Sequence, residues 1–468
     1  MKSLGQRIIA VLIVVLILGQ MLTVGISRYN SLREQVQSTG ENVELTIWYT
    51  DAKLNDFMLD AAEDYKEENG ITVNVQLISA VDYIETISDA TLVEGNGPDL
   101  FVAGSDLLQK ALYAGLVDNQ VTYSEAESDN IPQKAFDAAT CDGKLIGYPF
   151  YFESCFLLYN QYYAEDWPRN IDQILEYADN FENTGVTEKV QNIFKWDVSD
   201  IFYNYFFIGN YVGLGGTYGD EKSQLSLSEG KVIDCLEYYQ SLNEFFAIDE
   251  ETVHSEDVIQ EFIDGKIVFT IAKTDAIARL DQAIEEGKVP EYQLEVERDE
   301  DGNEIPPREV DCFYGVGDIP NLSEDLITRG LSVTNSIVVN NYSANRAYAN
   351  DFAHYLSYEK AEDLYEQTGK VSVCKNVTAG DENWERIMVQ YAGSVEIPKI
   401  IEMSNYWILM EIAFANIWNG ADIMTEIGNV VSQMNRTSEP VVVERPEVQV
   451  AAQQIAPVKG REAGYESK

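Results

Sequence analysis

The chain has 468 residues, and 45% of them are hydrophobic, which is enough for two or three domains with large cores. Its 79 acidic residues outnumber the 32 basic ones, and the formal net charge is −47. This balance argues against a nucleic-acid-binding protein and against docking on an anionic lipid surface, because both need a surplus of Lys and Arg.

The histidines and cysteines argue against several kinds of chemistry. The chain has only two histidines, no HExxH spacing, and no CxxC motif among its five cysteines. Zinc sites and histidine-based hydrolysis are therefore disfavoured, and we expect no metal site and no cofactor. The cysteines are predicted to be small buried residues, and one or two disulfides stay open as an alternative.

The N-terminal segment is predicted to direct export. Lys2 and Arg7 precede an apolar stretch from Ile8 to Ile26, close to the roughly 20 residues that span a bilayer. A positive flank before an apolar stretch is also typical of a secretory signal. Because no A-x-A cleavage site follows, an uncleaved membrane anchor is favoured over a cleaved signal peptide within residues 1–28. Residues 29–42 are polar and predict a short stalk.

Strands and helices alternate in the first globular part of the chain. VELTI alternates apolar and polar residues, which predicts a strand, and the next segment has apolar residues at helical spacing before Gly70. The following segments continue the alternation in this order: TVNVQLI, VDYIETISDATLVEG, GPDLFVAG and DLLQKALYAG. This order predicts a parallel α/β sheet with right-handed crossovers.

The rest of the chain is predicted to be more helical and to end in a tail. Residues 160–310 contain a segment rich in Tyr and Phe and a charged loop at 297–308. GVGDIP and LSVTNSIVVNN then predict strands, and ANRAYANDFAHYLS predicts a helix. Helices are predicted to continue to about Met434, and residues 437–468 are predicted to be disordered.

Strand ends supply the first candidate site residues, because ligands of open α/β sheets bind beyond the carboxyl ends of the strands. The first strand ends at Trp48-Tyr49-Thr50-Asp51 and the third at Gly104-Ser105-Asp106, and both ends present short polar groups. Core packing explains Trp48 equally well, and Asp106 is also a candidate N-cap of the next helix.

Glu153 lies in the aromatic stretch DGKLIGYPFYFESCFLLYN, close to Tyr151. The stretch is predicted to cross from one structural unit to another, so Glu153 would stand at their junction. A carboxylate beside flat rings suits a sugar, because it accepts hydroxyl hydrogen bonds while rings cover the apolar sugar faces. A buried salt bridge or a surface position is the alternative.

Several motifs together resemble one protein family across most of residues 43–435. They are WYTDAK, GNGPDLFVAGSD, DGKLIGYPFYFESCFLLYN, FIDGKIVFTIA and EIPKIIEMSNYWILMEIAFANIWNGA. In this order they resemble the extracellular solute-binding proteins of carbohydrate ABC transporters, the maltose-binding-protein class. The resemblance implies a periplasmic-binding-protein-like α/β fold, in which two lobes joined by a hinge hold the ligand between them. Lobe 1 would comprise 43–152 plus about 311–372, and lobe 2 would comprise 153–310 plus about 373–436.

The resemblance also implies ligand-binding roles for individual residues. Positions that match family ligand contacts are Lys53, Asp106, Glu153, Tyr205 and Trp407, with Trp48, Tyr49 and Tyr151 as their neighbours.

Two positions depart from the family pattern. Asp275 and Ala103 stand where the family has stacking tryptophans, which indicates a ligand other than maltose or a more polar one. The family's lipid-anchoring cysteine is also missing, because the first cysteine is Cys141, so lipid anchoring is not expected.

The expected function is capture of a carbohydrate by hinge closure and its delivery to ABC permease subunits, without catalysis and with the protein as a monomer. The alternative is a membrane-anchored sensor or partner-binding protein with the same fold. A glycoside-active enzyme is less favoured, because among 79 acidic residues some carboxylate pair is always present.

Overall fold

A computed structural model describes the globular part of the chain. The described residues are 43–118, 121–183, 185–222, 225–227, 230–292, 297–298, 304–305, 310–403 and 405–437. The predictions for 1–28 and 29–42, and for the tail beyond Thr437, lie outside the described residues. Among the described residues, no helix has the length and apolar character needed to cross a bilayer.

The strands and helices have the following bounds. The strands are β1 Glu44–Tyr49, β2 Thr72–Leu77, β3 Leu100–Gly104, β4 Thr140–Cys141, β5 Lys144–Leu145, β6 Tyr148–Asn160, β7 Asn192–Phe194, β8 Gly213–Leu214, β9 Leu225–Ser226, β10 Ile267–Lys273, β11 Glu297–Arg298, β12 Glu304–Ile305, β13 Tyr314–Gly317, β14 Leu331–Val339, β15 Val371–Ser372 and β16 Val395–Glu396. The helices are α1 Asn55–Asn69, α2 Tyr83–Asp89, α3 Leu108–Tyr113, α4 Glu125–Asn130, α5 Gln133–Ala138, α6 Ile171–Asp179, α7 Ile201–Asn204, α8 Gly230–Phe246, α9 Ser255–Ile263, α10 Asp275–Glu285, α11 Arg346–His354, α12 Ala361–Thr368, α13 Lys375–Thr378, α14 Glu382–Gly393, α15 Tyr406–Trp418 and α16 Ile423–Thr437.

Ten strands form one curled mixed sheet, with the main order β2-β1-β3-β14-β6-β10-β7 and with β13, β15 and β16 paired beside it. The pairs β4-β5, β8-β9 and β11-β12 are separate two-stranded sheets. The strands β1, β2 and β3 pair in parallel, as the alternation of strands and helices predicts. The strands β14 and β6 pair antiparallel with each other, and β10 then pairs antiparallel with β6. The sheet is therefore parallel at its first edge and antiparallel where the two halves of the molecule meet.

The strand β6 joins the two halves. Its 13 residues are all buried except Glu153, which is half-buried. Up to Ser154 it pairs with β14, and from Cys155 onwards it pairs with β10. The change of partner at one point in a continuous strand makes β6, together with β14, the connection between two lobes. The α/β two-lobed fold expected from the sequence is confirmed.

Buried side chains form separate cores in the two lobes. The first lobe has a core on each face of its sheet, built from residues between 45 and 151 and between 337 and 364. The second core takes residues from Ile131 onwards along α5 and β6 and continues to Val430. Phe313, Tyr314 and Ile319 belong to this second core, because β13 pairs with the distal half of β6. Residues 313–319 therefore pack with the second core, and the expected lobe bounds stay a prediction.

The cysteines form no disulfide. All five lie among the described residues as free thiols, and four of them are buried, while Cys312 is half-buried. The alternative of one or two disulfides is therefore not realised in this fold.

Candidate functional site

The two faces of the hinge strands carry different side chains. Successive residues of a strand point to opposite faces, and directly paired residues of adjacent strands share a face. Glu153 pairs with Val333, and Tyr151 pairs with Asn335, so these four side chains lie on one face. We call the space over this face the front cleft.

Lys370 connects two acidic side chains at the base of the front cleft. Its Nζ lies 2.7 Å from Asp51 Oδ2 and 2.9 Å from Glu153 Oε1, and the Lys370 side chain is 8% exposed. The same Nζ lies 5.2 Å from the centre of the Tyr151 ring. Asp51 follows β1, and its other oxygen accepts the Lys53 backbone N–H at 2.9 Å. The arrangement holds one cation between two carboxylates beside an aromatic ring.

The ion pairs change the protonation behaviour of this group. Partial burial works to raise the pKa of Asp51, but the hydrogen bond and the charge of Lys370 lower it below its ordinary value. Burial works to lower the pKa of Lys370, yet the nearby Glu153, Tyr151 and Asp51 raise it above its ordinary value. Both groups are therefore charged near neutral pH, and Asp51 acts as a hydrogen-bond acceptor.

Asp106 stands on the first-lobe wall of the front cleft. It lies in a short turn after β3. A Cβ placed on Gly104 would lie 2.6 Å from Asp106 Oδ1 and would also contact Val333 and Asn335, so Asp106 is next to the face that carries these residues. Asp106 is a solvent-exposed residue, but protein atoms around its carboxyl group remove part of the water that would hydrate the carboxylate. This desolvation, with the charge of Glu396, raises the pKa of Asp106 to about 6. The helix α3 that follows has no side-chain cap at its N-terminus.

The second-lobe wall is built around Lys273 at the end of β10. Lys273 pairs across the sheet with Cys155, two residues after Glu153, and its Nζ lies 5.2 Å from the rings of Phe202 and Tyr203. Burial works to lower the pKa of Lys273, but the charges of Asp275, Glu153 and Asp200 raise it. Asp275, which begins α10, is therefore close to the same cation as Glu153.

Trp407 belongs to the second lobe and is half-buried. Its ring packs edge-to-face against Tyr205 and Tyr406, with ring centres 5.3 and 4.9 Å apart. Glu411 follows one helical turn later in α15. Desolvation raises the pKa of Glu411, and the nearby charge of Asp200 raises it further. This side of α15 therefore adjoins the second-lobe wall.

Three predicted site residues lie in the cores. Trp48 and Tyr49 are buried on opposite faces of the first sheet, and the Tyr49 hydroxyl donates to Asn55 at 3.0 Å. Tyr205 is completely buried, and its hydroxyl shares a hydrogen bond of 2.9 Å with that of Tyr406. As folded here, these rings offer little or no surface to a ligand.

The other predicted residues are distributed over the front cleft. Tyr151 and Glu153 lie at its base, Asp106 on the first wall, and Lys53 is exposed in the turn next to Asp51. Ala103 lines a small cavity of about 50 Å³ on the first wall, which Tyr151 and Asn335 also line. Asp275 and Trp407 belong to the second lobe.

Lys370 and Lys273 were not among the predicted site residues, and Asp51 was identified only as a polar residue at a strand end, without a ligand-binding role. Asp51 lies in the motif WYTDAK, two residues before Lys53, and its position there is a signal that could have been used. Lys370 has no local signal, because its partner Glu153 is 217 residues away in the sequence.

A second set of contacts joins the lobes on the opposite face of the hinge strands. Glu396 accepts hydrogen bonds from Ser105 Oγ and from the Thr334 backbone N–H, both at 2.7 Å. Gln109, which is 4% exposed, donates to Asp220 O at 3.4 Å and accepts from the Ile401 N–H at 3.3 Å. We call these contacts of Ser105 and Gln109 the rear interface.

Near the rear interface, one group of side chains could offer metal ligands. Cys141, Asp142 and Asp220 have ligand atoms within 4.8 Å of one another. Burial and the two acidic neighbours raise the pKa of the Cys141 thiol to about 12, and Asp220 Oδ2 accepts the Asp142 N–H at 2.7 Å. No second observation among the described residues points to a metal here, so we assign none to this group.

Comparisons with known proteins agree with this architecture. A family model described as "Bacterial extracellular solute-binding protein" matches residues 60–388. The maltodextrin-binding protein MdxE of Bacillus subtilis is 20% identical over 401 residues, which cover 82% of this chain and 87% of that protein.

Solved structures show the same fold. The extracellular solute-binding protein of Staphylococcus aureus, in complex with maltose, has a TM-score of 0.67 at 20% identity and covers 84% of this chain and 97% of its own. A cyclo/maltodextrin-binding protein complexed with maltotetraose has a TM-score of 0.68 at 19% identity, with 86% and 99% covered. At identities this low, the structural similarity shows the fold and does not identify the ligand.

Proposed function

Because the chain belongs to the bacterial extracellular solute-binding protein family, we propose that it captures an oligosaccharide between its lobes and delivers it to an ABC permease. The family and its relatives are binding proteins rather than enzymes. The observation that carries the proposal is the acceptor group at the base of the front cleft, where Lys370 holds Asp51 and Glu153 beside Tyr151.

The chemistry of the front cleft suits a polyhydroxylated ligand. Glu153 is 29% exposed at the side chain, and a carboxylate has more acceptor positions than its single bond to Lys370 uses. Asp51 and Asp106 add acceptors on the first wall, and Tyr151 adds a ring. Sugar hydroxyls would donate to these oxygens while apolar sugar faces cover the rings.

The side chains of the cleft also favour a ligand that binds more through hydrogen bonds to charged groups than through ring stacking. Asp275 takes part in the charged group around Lys273, and Ala103 is 3% exposed. Neither supplies a ring at a position where the resembling family has one. We therefore propose an oligosaccharide bound mainly through hydroxyl-to-carboxylate hydrogen bonds, with Trp407 as the remaining stacking candidate.

The cellular setting follows from the family. An extracellular solute-binding protein is exported, and we propose that this one stays at the outer face of the cytoplasmic membrane through its apolar N-terminal segment. We propose that the protein works as a monomer and contacts the permease subunits with both lobes.

The proposal is tested by a ligand screen of the full-length protein. Thermal shift and tryptophan fluorescence would be measured with maltotriose, maltotetraose, cellotetraose, xylotetraose, chitotetraose, spermidine and a set of amino acids. A ligand at a hundredfold excess over its Kd stabilises the folded state by about 2.7 kcal/mol, which is a readily measured shift. Saturable binding of one oligosaccharide class supports the proposal.

Two outcomes of the screen would contradict the proposal. Binding of spermidine or amino acids alone would keep the fold and reject the carbohydrate. If the folded protein binds no compound of the panel, the sensor or partner-binding alternative is favoured, because capture of a small ligand must stabilise the state that binds it.

A further inference from the structure

Lys370 occupies a place in the front cleft that the proposed function does not by itself explain. Its side chain is 8% exposed, so it offers a ligand little surface, yet it contacts the two acidic side chains that stand nearest the hinge. One of them, Asp51, follows β1 in the first lobe. The other, Glu153, lies on β6, which runs into the second lobe.

We propose that Lys370 is a positioning residue, which holds Asp51 and Glu153 together as one acceptor pair for ligand hydroxyls. The proposal rests on the proposed function, because it concerns the same cleft. It goes further by assigning the geometry of the acceptors to a residue that precedes β15, outside every motif of the sequence.

The hydrogen bonds divide the oxygens of this pair between internal and external partners. Asp51 uses Oδ2 for Lys370 and Oδ1 for the Lys53 N–H, and both bonds fix the plane of its carboxylate. Glu153 uses Oε1 for Lys370, and no described residue donates to its Oε2. Lys370 thus fixes one oxygen of Glu153 and leaves the other for a hydroxyl donor.

The charges explain why a cation is needed at this point. Two carboxylates brought to the same spot repel each other, and a chain with a net charge of −47 supplies few cations to offset them. The charged and titratable groups that face Lys370 are Asp51, Tyr151 and Glu153, while Lys53 and Lys273 stand beyond the two carboxylates. Without Lys370, Asp51 and Glu153 would separate or Asp51 would take up a proton more readily.

The position of β15 fixes Lys370 itself. Val371, the next residue, pairs with Phe152 of β6, and the Lys370 N–H donates to Thr368 Oγ1 at 2.9 Å. Nζ also lies over the Tyr151 ring, which favours the cation at that face. The backbone that follows Lys370 is therefore attached to the hinge strand that carries Glu153, and the Lys370 N–H is held by the end of α12.

The test compares Lys370→Met and Lys370→Arg in the full-length protein with Lys360→Met as the matched control. Lys360 also pairs with two aspartates, Asp64 at 2.6 Å and Asp363 at 3.1 Å, on α1 and α12. Carbon-13 NMR titration of the Asp51 carboxyl gives a readout that needs no ligand. The pKa of Asp51 should rise in Lys370→Met, return towards the wild-type value in Lys370→Arg, and stay unchanged in Lys360→Met.

The second readout is the affinity for maltotetraose between pH 5 and 8. Lys370→Met should weaken binding at least tenfold, with a loss that grows as the pH falls, and Lys370→Arg should recover most of the affinity. A purely structural defect would weaken binding equally at every pH. In a cycle with Asp51→Asn, the two losses should be far from additive, because both substitutions break the same bond.

The outcomes separate the two proposals. An unchanged pKa of Asp51 in a folded Lys370→Met variant would overturn the positioning role, whatever the ligand. Should Lys370→Met fail to fold, an Asp51 pKa in Lys370→Arg that matches wild type supports the role, and one that has risen contradicts it. Wild-type protein that binds no oligosaccharide would reject the proposed function, while the Asp51 titration would still decide the ionic contact.

Discussion

Glu153 forms an ion pair and keeps a carboxylate oxygen that this pair does not use. Its place among aromatic residues predicted either a sugar acceptor or a salt bridge, and the structure contains the salt bridge with Lys370. The two interpretations do not exclude each other, because the pair uses one carboxylate oxygen and the side chain is 29% exposed. A charge in an apolar strand is tolerated here because it is paired and reaches solvent.

Replacing Glu153 by Gln should weaken oligosaccharide binding by about tenfold to a hundredfold. A hydrogen bond to a charged group contributes about 1.5–3 kcal/mol, and the amide keeps the volume while losing the charge. The affinity would be measured by isothermal titration calorimetry. Glu261→Gln is the control, since Glu261 pairs with Lys195 at 2.8 Å elsewhere in the second lobe. Equal affinities of the two variants would show that Glu153 is not a ligand contact.

Asp106 should make binding depend on pH. Desolvation raises its pKa to about 6, from an ordinary value of 3.8. Only the ionised form accepts hydrogen bonds with both oxygens, so affinity should fall as the pH decreases through about 6. An Asp106→Asn variant should bind more weakly and show a flatter profile between pH 5 and 7. A wild-type profile that is flat over this range would contradict the assignment.

The same shift predicts the opposite trend for stability. Because the folded-state pKa of Asp106 is raised, its favourable contribution is complete below about pH 3.8 and is lost as the pH rises through about 6. Asp106→Asn should therefore raise the melting temperature at pH 7.5 and have little effect at pH 4. Thermal unfolding at the two pH values measures the difference, and a lower melting temperature at pH 7.5 would be inconsistent with a desolvated carboxylate.

At the scale of secondary structure, local sequence patterns predicted individual elements better than their partners. The helix α1 ends at Gly70, whose φ of 73° is the left-handed conformation that a helix stop needs. The long apolar run of β6 also predicted a crossing between units. That β6 changes partner after Ser154 depends on residues near 270 and 335, which no local pattern can reveal.

The site residues divide along the same line. Asp106 follows from its place after a strand end, and Tyr151 and Glu153 follow from the aromatic stretch that crosses between the two units. Trp48 and Tyr49 also stand at a strand end, but both faces of that part of the sheet carry a core, so both rings are buried. The place of Lys370 in the cleft depends on pairing with residues that are distant in the sequence, so no local pattern could have predicted it.

Gly317 should be intolerant of any side chain, since it is the point where β13 passes Trp167. A Cβ at Gly317 would lie 2.3 Å from Trp167 Cγ, and that ring is held between Arg169 and Arg386 at 3.9 and 4.1 Å. Gly317→Ala should lower the free energy of unfolding by about 1–3 kcal/mol, as overpacking does. Urea unfolding gives the measurement.

Gly428→Ala provides the matched comparison for Gly317→Ala. Gly428 lies inside α16, and a Cβ there meets nothing within 4 Å. Alanine should raise the free energy of unfolding by about 0.5–1 kcal/mol, because it restricts the unfolded chain and favours the helix. If both variants are equally stable, the close approach of Gly317 to Trp167 does not constrain the fold.

For the molecule as a whole, the front cleft and the rear interface lie on opposite faces of β6 and β14. A rotation about these strands that brings the front walls together moves the rear groups apart. The hydrogen bonds of Ser105 and Gln109 therefore oppose closure of the front cleft. Their strength sets part of the free energy that ligand binding must supply.

Removing the rear hydrogen bonds should tighten ligand binding. The double substitution Ser105→Ala and Gln109→Leu should increase affinity by about twofold to tenfold, since a net hydrogen bond contributes about 0.5–1.5 kcal/mol. Calorimetry measures the affinity, and small-angle X-ray scattering should show a more compact ligand-free protein. Ser241→Ala, whose hydroxyl bonds to Tyr238 O within α8, is the control. Weaker binding by the double variant would mean that the rear contacts support the closed state instead.

The return of the chain to the first lobe has a consequence for how the protein is made. Tyr65 donates to Asp351 at 2.6 Å, and Lys360 pairs with Asp64, so the first core draws on segments nearly three hundred residues apart. Joining such distant segments carries a large entropy of loop closure and slows folding. A nascent polypeptide that has not yet produced β14 and α11 cannot bury this core. The first lobe would therefore stay unfolded until those segments are made, which is a state compatible with export before folding.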